Sequence, residues 1–396
     1  MHLLKSPNDL LLYVANGVTH VRDLGGPKTR LSLRAEIEQG DRIGPKLFVA
    51  SPPINTKDLL EGAFFELISF HKTTRSVDQA ERLVKKYAEQ GYDAIKTYHL
   101  DMPSYRAVNK LAAELDVPTT GHFPLTMELG ELAVTQQNEV AHLEEIVRVL
   151  IREFGSIHEQ GSDAFFAHVE ARSDAIIDDL LANDITVNSV LWFMENIHDQ
   201  FGDLEAALKD VAIEYANPGL VEGTQDSDQY KVGWLPGYNQ FEAETKPNTS
   251  AYQKSDEFWR ARETAHHILL RAMVRRGVKI VAGTDSGGNL VVPGFSLHDE
   301  LASLQRGGMS TSQALASATR VPAELMRSNA GWIAAGRRAD LVLLNKNPLV
   351  AIENTKTIES VILNGRVFTR EQLDAMLAAV VQANDNSRKI NIDQYR

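Results

Sequence analysis

The chain has 396 residues, of which 43% are hydrophobic, and it carries a net charge of −12. This length allows one large domain or two ordinary ones, and the composition is that of a globular protein. The basic residues form no concentrated stripe, which argues against a nucleic-acid surface. No run of about 18 apolar residues occurs, so the sequence predicts no membrane span.

The chain contains no cysteine. Disulfides, thiolate nucleophiles and zinc sites built on cysteine are therefore excluded. The first residues lack the charged region, apolar stretch and cleavage site of a signal peptide. We therefore expect a cytoplasmic location for the chain as given, and export of a longer parent chain stays open.

Short apolar runs alternate with longer helical patterns along the chain. Ser76 and Gln79 predict a capping box at the start of one helix, and Gly91 predicts its end. Alternation of strands and helices builds parallel sheets, and it favours a (β/α)8 barrel here. An open doubly wound sheet is less suitable, because no glycine-rich phosphate loop follows the first strand. The predicted strands are residues 18–24, 46–51, 93–98, 117–123, 139–145, 185–191 and 279–285.

Two regions break this alternation. Residues 155–250 are rich in turn formers and aromatic side chains, and we interpret them as an irregular insertion around the seventh strand, with a lid as one use. Near the end of the chain, Asn364-Gly365 lies between two apolar runs and predicts a two-residue hairpin turn. The sequence thus predicts three parts: the barrel over 1–330, small β-sandwich strands over 331–370, and a helix with a tail over 371–396.

Four polar residues stand at or near the ends of predicted strands, namely Lys96, His122, His142 and Asp285. The working residues of a barrel come from the carboxyl ends of its strands. Two neutral imidazoles and a carboxylate at one mouth suit zinc or a similar divalent ion. Each residue alone also has an ordinary explanation, such as a satisfied histidine, a lysine that reaches the rim, or an aspartate that caps the next helix. Their coincidence favours a metal centre.

The sequence resembles the amidohydrolase superfamily of metal-dependent hydrolases, in particular its imidazolonepropionase-like and Xaa-Pro dipeptidase-like members. The resemblance covers most of the chain apart from residues 155–250. Its matching stretches are LLLYVANGVTHVRDLGG (10–26), GYDAIKTY (91–98), GH (121–122), EVAHLEEI (139–146), GVKIVAGTDSG (277–287), LHDELASLQRGGMSTSQALASATRVPAELM (297–326), GWIAAGRRADLVLLNKNPL (331–349) and VILNGRVF (361–368).

The resemblance implies a role for each of the four residues. Lys96 matches a lysine that carbon dioxide carboxylates and that then bridges two divalent metals, expected to be zinc. His122 and His142 match ligands of the more exposed metal. Asp285 matches a ligand of the more buried metal. It also matches the acid/base that takes a proton from the attacking water and passes it to the leaving nitrogen.

Further residues are expected near this centre. Tyr98, His99 and His298 are candidates for substrate contact, with packing or support of the ligands as an equal alternative. The family also has a first strand that ends in His-x-His, whereas this chain has only His2 at its start. We expect His2 to reach the metal region, and a frayed terminus is the alternative.

The expected fold is therefore a (β/α)8 TIM-like barrel that lacks much of its first strand, beside the remnant of a small β-sandwich. A truncated start is the simplest explanation of the missing strand, and a degraded homologue is the alternative.

The resemblance implies a metal-dependent hydrolase that cleaves a C–N amide bond. The expected substrate is a dipeptide of the Xaa-Pro type or a related small carboxylated amide. A cyclic-amide hydrolase is the alternative enzyme, and a non-catalytic homologue is the alternative from another class. The expected partners are this small amide or peptide substrate and further copies of the chain in a homo-oligomer.

Overall fold

A computed structural model describes residues 6–56, 71–223, 233–242 and 249–388 of the chain. Parallel strands form its centre, and helices α2, α3, α4 and α13 contact them. The largest apolar core lies between these strands and the surrounding helices. The helices are α1 (Asp9–Ala15), α2 (Lys28–Gln39), α3 (Val77–Glu89), α4 (Met102–Glu114), α5 (Glu144–Phe154), α6 (Ile157–Gln160), α7 (Ser162–Ala182), α8 (Leu191–Lys209), α9 (Pro218–Val221), α10 (Ser250–Arg276), α11 (Phe295–Arg306), α12 (Thr311–Ser317), α13 (Arg320–Leu325) and α14 (Arg370–Arg388), with 3₁₀ turns at Leu129–Val134, Ile213–Tyr215 and Ile352–Lys356.

The parallel strands follow one another in space nearly in chain order. β1 pairs with β2, and a second sheet has the order β4-β3-β5-β6-β7-β8-β9. A bridge between Ala50 and Ala94 joins the two sheets. The predicted α/β fold with a central parallel sheet is therefore confirmed. Its strands are β1 (His20–Leu24), β2 (Lys46–Ala50), β3 (Ile54–Thr56), β4 (Lys72–Thr74), β5 (Ile95–Thr97), β6 (Thr119–Gly121), β7 (Glu139–Val140), β8 (Thr186–Asn188) and β9 (Ile280–Val281).

The start of α3 shows how local sequence sets a helix boundary. The Ser76 side chain accepts a hydrogen bond from the backbone N–H of Gln79 at 3.3 Å, as predicted. The Gln79 side chain accepts from the N–H of Arg75, one residue before the N-cap. Gly91 follows the helix with a φ of 77°, a left-handed conformation that favours glycine.

Residues 155–250 contain more regular secondary structure than the sequence predicts. The helices α7 and α8 extend through this region and flank β8. On α7, Phe165, Val169, Ile176 and Leu180 are buried, which is the spacing of one helix face. The prediction of an irregular insertion is wrong for this part, because it gave more weight to the turn formers beyond residue 209 than to this apolar periodicity.

A small antiparallel sheet follows the barrel strands. It consists of β10 (Leu341–Leu344), β11 (Ile358–Leu363) and β12 (Arg366–Thr369), in that order. Asn364 and Gly365 have φ values of 53° and 75°, which confirms the predicted two-residue turn. Val14 and Ala15 of α1 pack against this sheet and α14 in one apolar cluster. Helix α1 therefore connects the small sheet to the parallel strands.

The outer edges of β1 and β9 have no strand partner within the described residues. A cavity of about 580 Å³ lies beside them, lined by residues of β1, β9 and β10. The loss of a first barrel strand stays a prediction. The interpretation of the small sheet as the remnant of a β-sandwich also stays a prediction. None of the described helices combines the length and apolarity that a membrane span needs.

Candidate active site

The four polar residues predicted from the sequence lie in or shortly after four strands of the parallel sheet. Lys96 lies within β5, His122 directly follows β6, His142 lies just beyond β7, and Asp285 lies shortly after β9. The backbone N–H of His122 donates to the carbonyl of Thr97 at 3.1 Å. The hydrogen bonding between β5 and β6 therefore continues as far as His122. The carboxyl ends of these strands therefore present the four side chains from one edge of the sheet.

Aromatic and imidazole rings form a contiguous group at this edge. The ring centroid of His122 lies 5.0 Å from that of His142, 4.6 Å from that of Tyr98 and 5.3 Å from that of His99. His71 contacts Tyr98 edge-on at 4.5 Å. The structure thus brings two predicted substrate contacts, Tyr98 and His99, to two predicted ligands. His71 was not predicted, because it precedes a strand instead of ending one.

Burial and neighbouring charges shift the pKa values of the lysine and histidine side chains in this group. Lys96 and His142 are buried, with 2% and 7% of their surfaces exposed. Burial lowers the pKa of both side chains, to about 4 for His142, and the charge of Asp285 opposes this shift in each case. Burial also lowers the pKa of His122. Both imidazoles are therefore neutral at pH 7, which is the form that binds a metal ion.

Glu145, in the first turn of α5, was not predicted as a site residue. Its carboxylate lies 2.9 Å from Nδ1 of His122. Ligand atoms of His99, His122 and Glu145 all lie within 4.8 Å of one another, so these residues also form a possible metal-binding group. The position of Glu145 three residues after His142 in AHLEE was the signal that could have identified it.

Asp285 lies in a tight loop after β9. It has a φ of 48°, in the left-handed region. The next residue, Ser286, shares a hydrogen bond of 2.5 Å with the hydroxyl of Tyr13 on α1, which anchors the loop. The following helix, α11, begins at Phe295 and has Gly294 as its N-cap. Asp285 therefore does not cap α11, the helix that follows it.

Gly283 lets the end of β9 approach the end of β8. A Cβ atom at this position would lie 2.0 Å from Oδ1 of Asn188. Asn188 is buried, and its Oδ1 has no hydrogen-bond partner within the described residues. A side chain at position 283 would therefore displace the side chain of Asn188.

An ion pair lies among the same strands. Arg22 of β1 binds both carboxylate oxygens of Glu139 on β7, with one contact at 2.6 Å. Burial alone would raise the pKa of Glu139, but the guanidinium outweighs it and holds this pKa below its usual range. The charge of Glu139 also favours the protonated form of Lys96.

One predicted residue, His298, does not join this group. His298 lies on α11, where its Nδ1 is 3.0 Å from the hydroxyl of Thr355. It lines a separate cavity of about 330 Å³ next to the small sheet. Its predicted contact with substrate gains no support from this position and stays a prediction. His2 lies outside the described residues.

The sequence model of the amidohydrolase family matches residues 13–368. The chain belongs to the amidohydrolase family. It is a hydrolase that acts on carbon–nitrogen bonds, as members of this family do. A comparison with curated proteins finds no match.

Solved structures share the fold. Bottromycin amidohydrolase is similar with a TM-score of 0.70 and 21% identity, over 96% of this chain and 78% of that chain. A Xaa-Pro dipeptidase with methionine bound in its active site has a TM-score of 0.61 and 16% identity, over 91% of this chain and 77% of that chain. The ochratoxinase of A. niger has a TM-score of 0.63 and 15% identity, over 92% and 74%. At these identities the likeness shows a common fold alone.

We expect Gly283→Ala to destabilise the amidohydrolase by about 1–3 kcal/mol, because the new methyl group overlaps Asn188. Adding Asn188→Ala should relieve part of this loss, since it removes the overlapping atoms. Urea unfolding of the two single variants and the double variant measures this coupling. Gly130→Ala is the control, because a Cβ there meets nothing within 4 Å. Strictly additive effects at 188 and 283 would contradict the close approach.

Proposed function

We propose that this amidohydrolase cleaves the amide bond of a dipeptide of the Xaa-Pro type, or of a related small amide that carries a carboxylate. The observation that carries the proposal is the convergence of Lys96, His122, His142 and Asp285 at one edge of the sheet. The similarity to a Xaa-Pro dipeptidase supports the substrate class.

The donor set fits divalent metal ions. Two neutral imidazoles and a carboxylate are ordinary zinc ligands. An ammonium group at Lys96 does not fit beside a cation, since it has a positive charge and no lone pair. We therefore propose that Lys96 is carboxylated and that, together with His122, His142 and Asp285, it would hold the two divalent ions. Bound there, zinc would lower the pKa of a water molecule and polarise the amide carbonyl.

Proton transfer and substrate contact are carried out by side chains of the protein. Asp285 takes a proton from the attacking water and delivers it to the nitrogen that leaves, so the amine departs without charge. The hydrogen bond between Tyr13 and the adjacent Ser286 ties the backbone next to this carboxylate to α1. Tyr98 and His99 stand next to His122 and contact the substrate beside the ligands.

The substrate class is tested with a panel of amides. Zinc-loaded protein is incubated with Xaa-Pro dipeptides, other dipeptides, N-acyl amino acids and cyclic amides, and the released amine or acid is quantified. We expect turnover of the linear amides with a free carboxylate, led by the Xaa-Pro dipeptides. Turnover confined to cyclic amides would replace the proposal with the cyclic-amide alternative. A metal-loaded protein that hydrolyses none of the panel would refute the substrate class.

For Lys96, we expect Lys96→Ala to abolish hydrolysis, because the bridge between the two metals is lost. Short carboxylic acids added with zinc should restore part of the activity, since their carboxylate can take the place of the missing group. Lys279→Ala is the matched control, because that lysine pairs with Asp184 at the surface. Full activity of the Lys96 variant without added acid would disprove the assignment.

For Asp285, we expect Asp285→Asn to lower kcat by about 10²–10⁴-fold, the usual contribution of a general acid or base. The thermal unfolding temperature should change little, because Asp285 does not cap the helix that follows it. Asp299→Asn, which removes a surface partner of Lys356, is the control. A variant that keeps its kcat would exclude Asp285 from proton transfer.

A further inference from the structure

Glu145 reaches His122 from the next strand-to-helix connection. One carboxylate oxygen lies 2.9 Å from Nδ1 of His122. The other accepts from the backbone N–H of Phe123 at 2.8 Å and from the guanidinium of Arg148 at 2.6 Å. The side chains of Glu145 and His122 are 2% and 15% exposed. A buried carboxylate thus binds both the ring and the following peptide group of one predicted ligand.

This contact decides which nitrogen of His122 carries the proton. An ionised carboxylate can only accept hydrogen bonds. The N–H of Phe123 and the guanidinium of Arg148 both donate to Glu145, which favours its ionised form. The proton of the neutral ring therefore stays on Nδ1, and Nε2 keeps its lone pair. Nε2 is then the atom of this ring that can bind a metal ion.

Glu145 could instead be a ligand, since it belongs to the group with His99 and His122. Its hydrogen bonds argue against this role. Both oxygens already accept from donors, and a metal on Oε1 would displace the N–H of His122. A carboxylate that is hydrogen-bonded to a ligating histidine is the common arrangement behind metal ligands in proteins.

We propose that Glu145 is a positioning residue, which fixes the tautomer and orientation of His122 and thereby strengthens metal binding. The inference rests on the proposed function only in that His122 is taken as a metal ligand. Residues in such positions typically change metal affinity by about 10–100-fold.

The first test needs no metal. Metal-free protein labelled with ¹⁵N-histidine is studied by long-range ¹H–¹⁵N NMR, and the His122 signals are assigned by comparison with His122→Gln. We expect the Nδ1–H tautomer in the natural sequence and a mixture of tautomers in Glu145→Ala. Glu145→Gln serves as the second variant if Glu145→Ala fails to fold. The Nε2–H tautomer in the natural sequence, or an unchanged tautomer in the folded variant, would overturn the inference.

The second test measures zinc affinity by competition with a chromophoric chelator. We expect Glu145→Gln and Glu145→Ala to bind zinc about 10–100-fold more weakly with unchanged stoichiometry. Glu144→Gln is the matched control, because its neighbouring carboxylate pairs with Arg262 instead of His122. Loss of one whole zinc ion in the Glu145 variants would identify a ligand and overturn the positioning role.

His122→Ala separates this inference from the proposed function. If His122→Ala weakens zinc binding but the Glu145 variants do not, the positioning role alone is wrong. If His122→Ala and His142→Ala both leave zinc binding unchanged, the proposed metal centre itself is wrong.

Discussion

The burial of Lys96 inside the parallel sheet is the constraint on which the site depends. An ammonium group taken out of water is costly unless opposite charges compensate for it. Glu139, one nearby carboxylate, is already bound at both oxygens by Arg22. Glu145 binds His122 and Arg148, and the charge of Asp285 acts on Lys96 more strongly than those of Glu139 and Glu145. Lys96 thus lies buried among carboxylates, and the carboxylation that we propose would remove the cost of burying its positive charge there.

The same edge of the sheet requires backbones to pass unusually close together. A Cβ atom on Gly121, directly before His122, would lie 2.1 Å from the carbonyl oxygen of Thr97, and Gly283 allows the comparable approach of Asn188. The first contact lies between β6 and β5, and the second lies between the residues just beyond β9 and a side chain of β8. Both contacts fix the backbone shortly before a predicted site residue, His122 in one case and Asp285 in the other.

Much of this arrangement could be predicted from local pattern. The alternation of apolar runs and helical periods indicated the parallel sheet, and it also indicated that Lys96, His122, His142 and Asp285 follow strands. Asn364-Gly365 defined its hairpin because only a few residue types accept that backbone conformation. The prediction was wrong for α7, where turn formers farther along the chain obscured an apolar helix face. These are all features that neighbours within a few residues decide.

The sequence by itself determined which residue types stand at the strand ends, since strand period and residue chemistry are local properties. Only the tertiary structure decided the partners: Glu145 for His122, Glu139 for Arg22, and Tyr98 for His71. It also placed His298 beside Thr355 and away from the ring cluster. The physical reason is that hydrogen bonds and ring contacts are directional and short. Whether distant residues make them depends on the register and packing of whole elements, which no local pattern specifies.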